Sequence, residues 1–230
     1  MRFVPPSTIA IDGPAGSGKT VIGLWLAAHL GYAFLDTGVL YRAVALDALE
    51  ANLDVHDGEL LAARARAIPL RISPPDEADR PRGYSAYLGD HRITDSLFEP
   101  RVNSVVSIVA AHRSVREALL PLQRGLGERG RVVMVGRDVT TTVLPHADLK
   151  LYLDASIERR ARRRWDQERA HGSTRDVNSI AADLADRDQR DSGRDASPLR
   201  VATDAIRIQT DDLDLEEEKR LIVELLESRR

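Results

Sequence analysis

The chain has 230 residues and no cysteine, which excludes disulfides, thiolate nucleophiles and cysteine-ligated metals. No segment approaches the roughly 20 consecutive apolar residues that a membrane-spanning helix requires. The N-terminal Met1-Arg-Phe-Val-Pro-Pro-Ser7 leads into a short apolar run broken at Asp12, with no signal-peptide core. A soluble, cytoplasmic protein is therefore expected. A dominant charge is missing too: the formal net charge is −3, so no whole-molecule field holds the chain on nucleic acid or an anionic membrane. Lysine is scarce. Of 33 basic residues, 30 are arginine, and Lys19, Lys150 and Lys219 are the only lysines. The six histidines show no paired metal-ligand spacing, and there is no internal repeat or low-complexity tail.

What is present begins with alternation. Thr8 to Asp12 reads as a strand, a glycine-rich loop follows, and Lys19 to Leu30 carries apolar residues at helical spacing. Tyr32 to Leu35 predicts a second strand, and Leu40 to Leu49 and Gly58 to Ala67 predict helices. This order implies a parallel sheet covered on both faces. Ile68 to Phe98 differs, with two alternating stretches, Ile68 to Ser73 and Tyr84 to Gly89, joined by an exposed turn at Pro74 to Arg82. That pattern predicts a small antiparallel insert. Ser114 and Glu117 have capping-box spacing, as do Asp214 and Glu217. Arg131 to Val135, Leu149 to Leu153 and Ala205 to Gln209 supply further strands. Two polar helices, Ser156 to Ala170 and Val177 to Asp191, flank a connection, His171 to Asp176, whose composition predicts a mobile tip. The expected fold is α/β, with five parallel strands, flanking helices, an antiparallel insert and a helical lid.

Gly13-Pro-Ala-Gly-Ser-Gly-Lys-Thr20 matches G-x-x-x-x-G-K-[ST] between a strand and a helix. Backbone N–H groups of Gly13, Pro14 to Gly18 and the helix start cradle phosphate oxygens in such a loop, proline itself having no N–H. Lys19 would span the β- and γ-phosphates of ATP, and Thr20 would offer its hydroxyl to Mg²⁺. The competing account is a glycine turn that closes a βα unit. A second loop, Leu35-Asp-Thr-Gly-Val-Leu-Tyr-Arg42, places Asp36, Thr37 and Arg42 at the same sheet edge. By itself it also fits an N-cap turn. Gly136-Arg-Asp138 lies at the end of another strand. Positions 187, 190, 191 and 194 are spaced as one helical stripe of three arginines and an aspartate, suited either to phosphate or to a solvated ion-paired face.

Together these motifs resemble the bacterial cytidylate (CMP/dCMP) kinases of the P-loop nucleoside monophosphate kinase group. The resemblance runs from about Ile9 to Leu199 and includes Ser107, Val115-Arg-Glu-Ala-Leu-Leu120 and Arg187-Asp-Gln-Arg-Asp-Ser-Gly-Arg194. It implies transfer of the ATP γ-phosphate to CMP or dCMP. By the same resemblance, Ser107, Arg116 and Asp138 read cytosine; Arg42, Arg137 and Arg194 bind the acceptor phosphate; and Arg187 and Asp191 hold the sugar and adjoining phosphate. Lys19, Arg137, Asp138, Arg187 and Arg194 form the implied catalytic set. Arg160 and Arg163 lead into the lid on the ATP side. The implied division is a core of 1–67 and 99–230, with the lid at about 156–192, and a nucleotide-binding insert at 68–98. Val135 stands where many relatives carry an acidic residue and Thr140 where they carry glycine, which leaves Asp36 as the candidate for orienting Mg²⁺ water.

No protein nucleophile is needed, because the acceptor phosphate oxygen attacks directly. Mg²⁺ would arrive with ATP, and the protein would act as a monomer on ATP and CMP or dCMP. Two other readings remain: a P-loop kinase for another small acceptor, and an ATP-binding, nucleic-acid-associated protein using Arg159 to Arg164. Consecutive arginines on a helix point nearly all round, however, and no aromatic platform accompanies them.

Overall fold

The computed structural model describes residues 5–170 and 172–228. The expectations for Met1 to Val4 and for His171 lie outside the described residues. Strands β1 (Thr8–Asp12), β2 (Ala33–Asp36), β6 (Val132–Gly136), β7 (Leu149–Asp154) and β8 (Ile206–Gln209) form one parallel sheet in the order β2-β6-β1-β7-β8. Ile9, Ala10, Ile11 and Val133 to Val135 are fully buried, as central parallel strands covered on both faces must be. The register pairs Asp12 with Gly136, Asp36 with Val135 and Asp12 with Tyr152. The C-terminal ends of β1, β2 and β6 therefore share one edge, and every loop singled out by sequence opens there.

Around the sheet lie α1 (Lys19–Leu30), α2 (Gly38–Glu50), α3 (Gly58–Ala67), α4 (Pro100–Val109), α5 (Arg113–Gly127), α6 (Ile157–Ala170), α7 (Val177–Ser192) and α8 (Leu215–Glu227). No described helix is long and apolar enough to cross a membrane. The capping box expected at Asp214 and Glu217 forms at the start of α8, with both reciprocal hydrogen bonds. The one expected at Ser114 and Glu117 does not. Helix α5 already starts at Arg113, the Ser114 hydroxyl donates to Gly58 O at 2.8 Å, and Glu117 pairs with Arg113 at 2.7 Å.

The antiparallel insert is β3 (Leu70–Ser73), β4 (Ser85–Leu88) and β5 (His91–Arg92). Its core is shared: Tyr84, Ala86 and Ile93 pack into the main hydrophobic cluster. The turn at Pro74 to Arg82 is exposed over most of its length, as expected, but it folds around one buried carboxylate. Asp79, 1% exposed, accepts from Ser85 Oγ at 2.6 Å, Thr94 Oγ1 at 2.9 Å and Arg92 Nε at 2.9 Å, and Arg92 Nη2 completes a two-point ion pair. Charge spacing gave no sign of this, because its partners come from beyond the turn.

Candidate active site

The phosphate loop joins β1 to α1. Gly16 at φ 78° and Gly18 at φ 91° take left-handed conformations that glycine alone adopts without strain, and Gly18 precedes the helix so that its first N–H groups face the loop. Lys19 is 6% exposed and donates across the loop to Pro14 O at 3.0 Å. Burial, then the like charge of Arg137, pushes its pKa well below the ordinary lysine value, with Asp36 opposing. An incoming phosphate would reverse that deficit.

Thr20 Oγ1 donates to Asp36 Oδ2 at 3.2 Å, while Asp36 Oδ1 accepts from Gly38 N at 3.0 Å. The neighbouring strand end offers no carboxylate: Val135 is fully buried and packs where a Cβ on Gly23 would come within 2.5 Å of its Cγ1. Among the described residues no group of three or more histidine or acidic side chains converges to hold a metal. Thr20 and Asp36 set a hydroxyl beside a carboxylate at the loop, a pair that suits a Mg²⁺ whose shell is completed by phosphates and water. Thr37 is committed elsewhere, its hydroxyl donating to Val135 O at 3.1 Å.

Loop 136–140 is fixed by Asp12, fully buried at the end of β1. It accepts from Val139 N at 2.9 Å, Thr140 N at 2.7 Å and Thr140 Oγ1 at 2.6 Å. Threonine at position 140 therefore adds a hydrogen bond to a loop anchor. From this loop Arg137 Nε reaches Asp191 Oδ2 on α7 at 2.9 Å. Burial alone would raise the Asp191 pKa, but Arg137, Arg194 and Arg187 together hold it below the usual carboxylate value. Arg187 is half-buried, and desolvation, then the like charge of Arg137, pushes its pKa down to about 10. The expected continuous stripe needs correction, since α7 ends at Ser192 and exposed Arg190 donates back to Asp186 O. Arg194 reaches the same place from the coil, with Nε donating to Asp191 O at 3.2 Å. Nε of Arg187 is buried without a hydrogen-bond partner, and Nη2 of Arg194 has only a long ion pair with Asp191 Oδ1 at 3.5 Å. Arg42, whose charge is felt by Arg187, donates to Leu97 O and to Asn103 Oδ1 and lies 4.9 Å over the Phe98 ring.

Arg116 of α5 pairs with Asp138 at 2.6 Å, both side chains almost wholly buried. They form part of the wall of a pocket of about 300 Å³, with Tyr41, Gln123 and Thr142. Ser107 sits half-buried on α4, whose following residue Ala110 accepts from Arg116 Nη1 at 3.1 Å. Arg160 and Arg163 of α6 brace the outside of the phosphate loop. Arg160 Nη1 donates to Ala15 O at 3.0 Å and its Nη2 pairs with Asp188 of α7 at 2.6 Å. Arg163 donates to Ser17 O, to Thr210 and to Glu218.

A family model described as Cytidylate kinase matches residues 9–228. The chain belongs to the cytidylate kinase family. Cytidylate kinases of Exiguobacterium sibiricum and Roseiflexus castenholzii are 42% and 44% identical to it, each over 95% of this chain and over 96% and 92% of their own length. The cytidylate kinase of Bacillus subtilis is 37% identical, over 96% of this chain and 97% of that protein. A solved structure of an uncharacterized protein from Eubacterium ventriosum shares the fold, with a TM-score of 0.50 at 12% identity over 96% of this chain and 98% of that one.

Sequence reading missed Tyr41 and Gln123 in the pocket wall and Asp12 behind loop 136–140. A signal existed for Gln123: it follows Arg116 by seven residues, which puts both on one face of α5. Asp12 closes the β1 sequence at the ligand edge, yet nothing in the local pattern pairs it with residues 127 positions away.

Proposed function

We propose that the chain catalyses transfer of the γ-phosphate of ATP to CMP, and to dCMP, releasing ADP and the diphosphate. The observation that carries this reading is the buried Arg116–Asp138 pair in the wall of a pocket at the same sheet edge as the phosphate loop. Cytosine offers a donor at its 4-amino group and acceptors at N3 and O2. A carboxylate accepts from the first, and a guanidinium donates to the others.

In this reading the phosphate of CMP occupies the cluster of Arg137, Arg187 and Arg194, where Arg187 Nε lacks a hydrogen-bond partner and guanidinium forks suit anionic oxygens. Arg42 joins once it leaves Leu97 and Asn103, and Asp191 orients the arginines and the sugar. The phosphate loop and Lys19 hold ATP, while Arg160 and Arg163 stiffen the loop from behind. Thr20 and Asp36 hold Mg²⁺, which neutralises phosphate charge when bound. An oxygen of the CMP phosphate attacks the γ-phosphorus as the bond to ADP breaks, and Lys19 with the arginines stabilises the charge on the transferring group. Residues 68–98 act as the acceptor-side insert and 156–192 as the lid over a core of 1–67 and 99–230. The reading takes the protein as a monomer that acts in the cytoplasm.

The test is ADP release from ATP with CMP, dCMP, UMP, AMP or polynucleotide added. Dependence on CMP or dCMP is expected; equal release with every acceptor, or release driven by polynucleotide, would defeat the assignment.

A further inference from the structure

Gln123 is 1% exposed and lines the pocket beside Tyr41, Arg116 and Asp138. Its Nε2 donates to Tyr41 Oη at 3.4 Å, which leaves Oε1 as the amide atom without a partner. Oε1 is buried and accepts no hydrogen bond from any described residue. A buried acceptor left unpaired is costly, and such groups in folded proteins ordinarily have a partner. A second unpaired group sits on the same helix face, since Arg116 Nε is also buried without a partner. An unmet acceptor and an unmet donor thus belong to residues that share one pocket wall with Asp138, whose Oδ2 is already held by Arg116 at 2.6 Å.

We infer that Gln123 is a specificity-determining residue whose amide oxygen accepts one N–H of the exocyclic amine of the base while Asp138 accepts the other. This inference rests on the reading of the pocket as the cytosine site. A primary amine has two hydrogens and satisfies both acceptors, whereas a carbonyl in its place would oppose two oxygens at once. Tyr41 acts as the positioning residue that keeps the amide oxygen open toward the base. The site therefore selects against uracil and also against a cytosine whose amine carries a substituent.

The experiment compares CMP, UMP and N4-methyl-CMP with the wild-type chain and with Gln123→Met, which fills the same space without an acceptor, and Gln123→Ala, which opens space. Wild type should use N4-methyl-CMP at least about tenfold less efficiently than CMP, because one of two read hydrogens is gone. Gln123→Met should narrow the CMP-to-UMP ratio of kcat/KM about tenfold, and Gln123→Ala should shrink the penalty on the methylated substrate. Equal losses for all three substrates in both variants, or wild-type use of N4-methyl-CMP as good as CMP, would overturn the inference without touching the reading of the chain as a CMP kinase. Absence of CMP-dependent turnover in the wild type would instead remove the reading of the pocket itself. The wild-type comparison needs no variant to fold, and thermal melts of the variants separate packing loss from lost recognition.

Discussion

Arg116 on α5 and Asp138 after β6 meet at 2.6 Å with side chains 5% and 6% exposed. Removing one partner of such a pair strands the other, at a cost of about 3–5 kcal/mol. Asp138→Ala should therefore lower the unfolding free energy and cut kcat/KM for CMP far more than for UMP. Urea unfolding and steady-state efficiencies for both substrates check this. An unchanged CMP-to-UMP ratio would mean that Asp138 only anchors its loop.

Lys19→Ala should behave in the opposite way toward stability. The ammonium is buried among like charges, with Arg137 the largest of them, so its removal should leave the melting temperature unchanged or higher. Turnover should fall by about a hundredfold or more, since the lost charge acts on the transferring phosphoryl group. ADP release and a thermal melt on the same sample test both halves, and near-normal turnover would remove Lys19 from the reaction.

Asp36→Asn keeps an oxygen for Gly38 N but loses the charge beside Thr20. Titration of Mg²⁺ against ADP binding by calorimetry should show a several-fold rise in the Mg²⁺ needed, with metal-free ADP binding no weaker. An unaltered Mg²⁺ dependence would exclude Asp36 from the cation site.

In the insert, Arg92 is the largest cause holding the Asp79 pKa down at about 2, with Ser85 and Thr94 adding to it against the burial of the group. A folded-state pKa below the unfolded value of about 3.9 stabilises the protein above that value, and the contribution fades as pH falls toward 2. The gap in urea midpoint between wild type and Arg92→Met should be full at pH 5 and should close between about pH 4 and pH 2. A gap that persists at pH 2 would show that Arg92 acts through packing alone.

The parallel sheet was legible because β1, β6 and β7 are short apolar runs that end in glycine or acidic residues at loops with distinctive spacing. The phosphate loop was legible for the same reason. Pairings between distant segments were not. Nothing local to Asp79 points to Arg92 and Thr94, and nothing in α6 shows that Arg160 and Arg163 reach Ala15 and Ser17. Ser114 and Glu117 had the letters of a capping box, but the Gly58 carbonyl and Arg113 took their side chains.

The most direct measurement of the central claim is the rate of ADP formation from ATP and Mg²⁺ with and without CMP. The account predicts release that rises and saturates with CMP and stays near background with UMP, AMP or RNA. Release that ignores CMP, or that answers equally to every monophosphate, would contradict it.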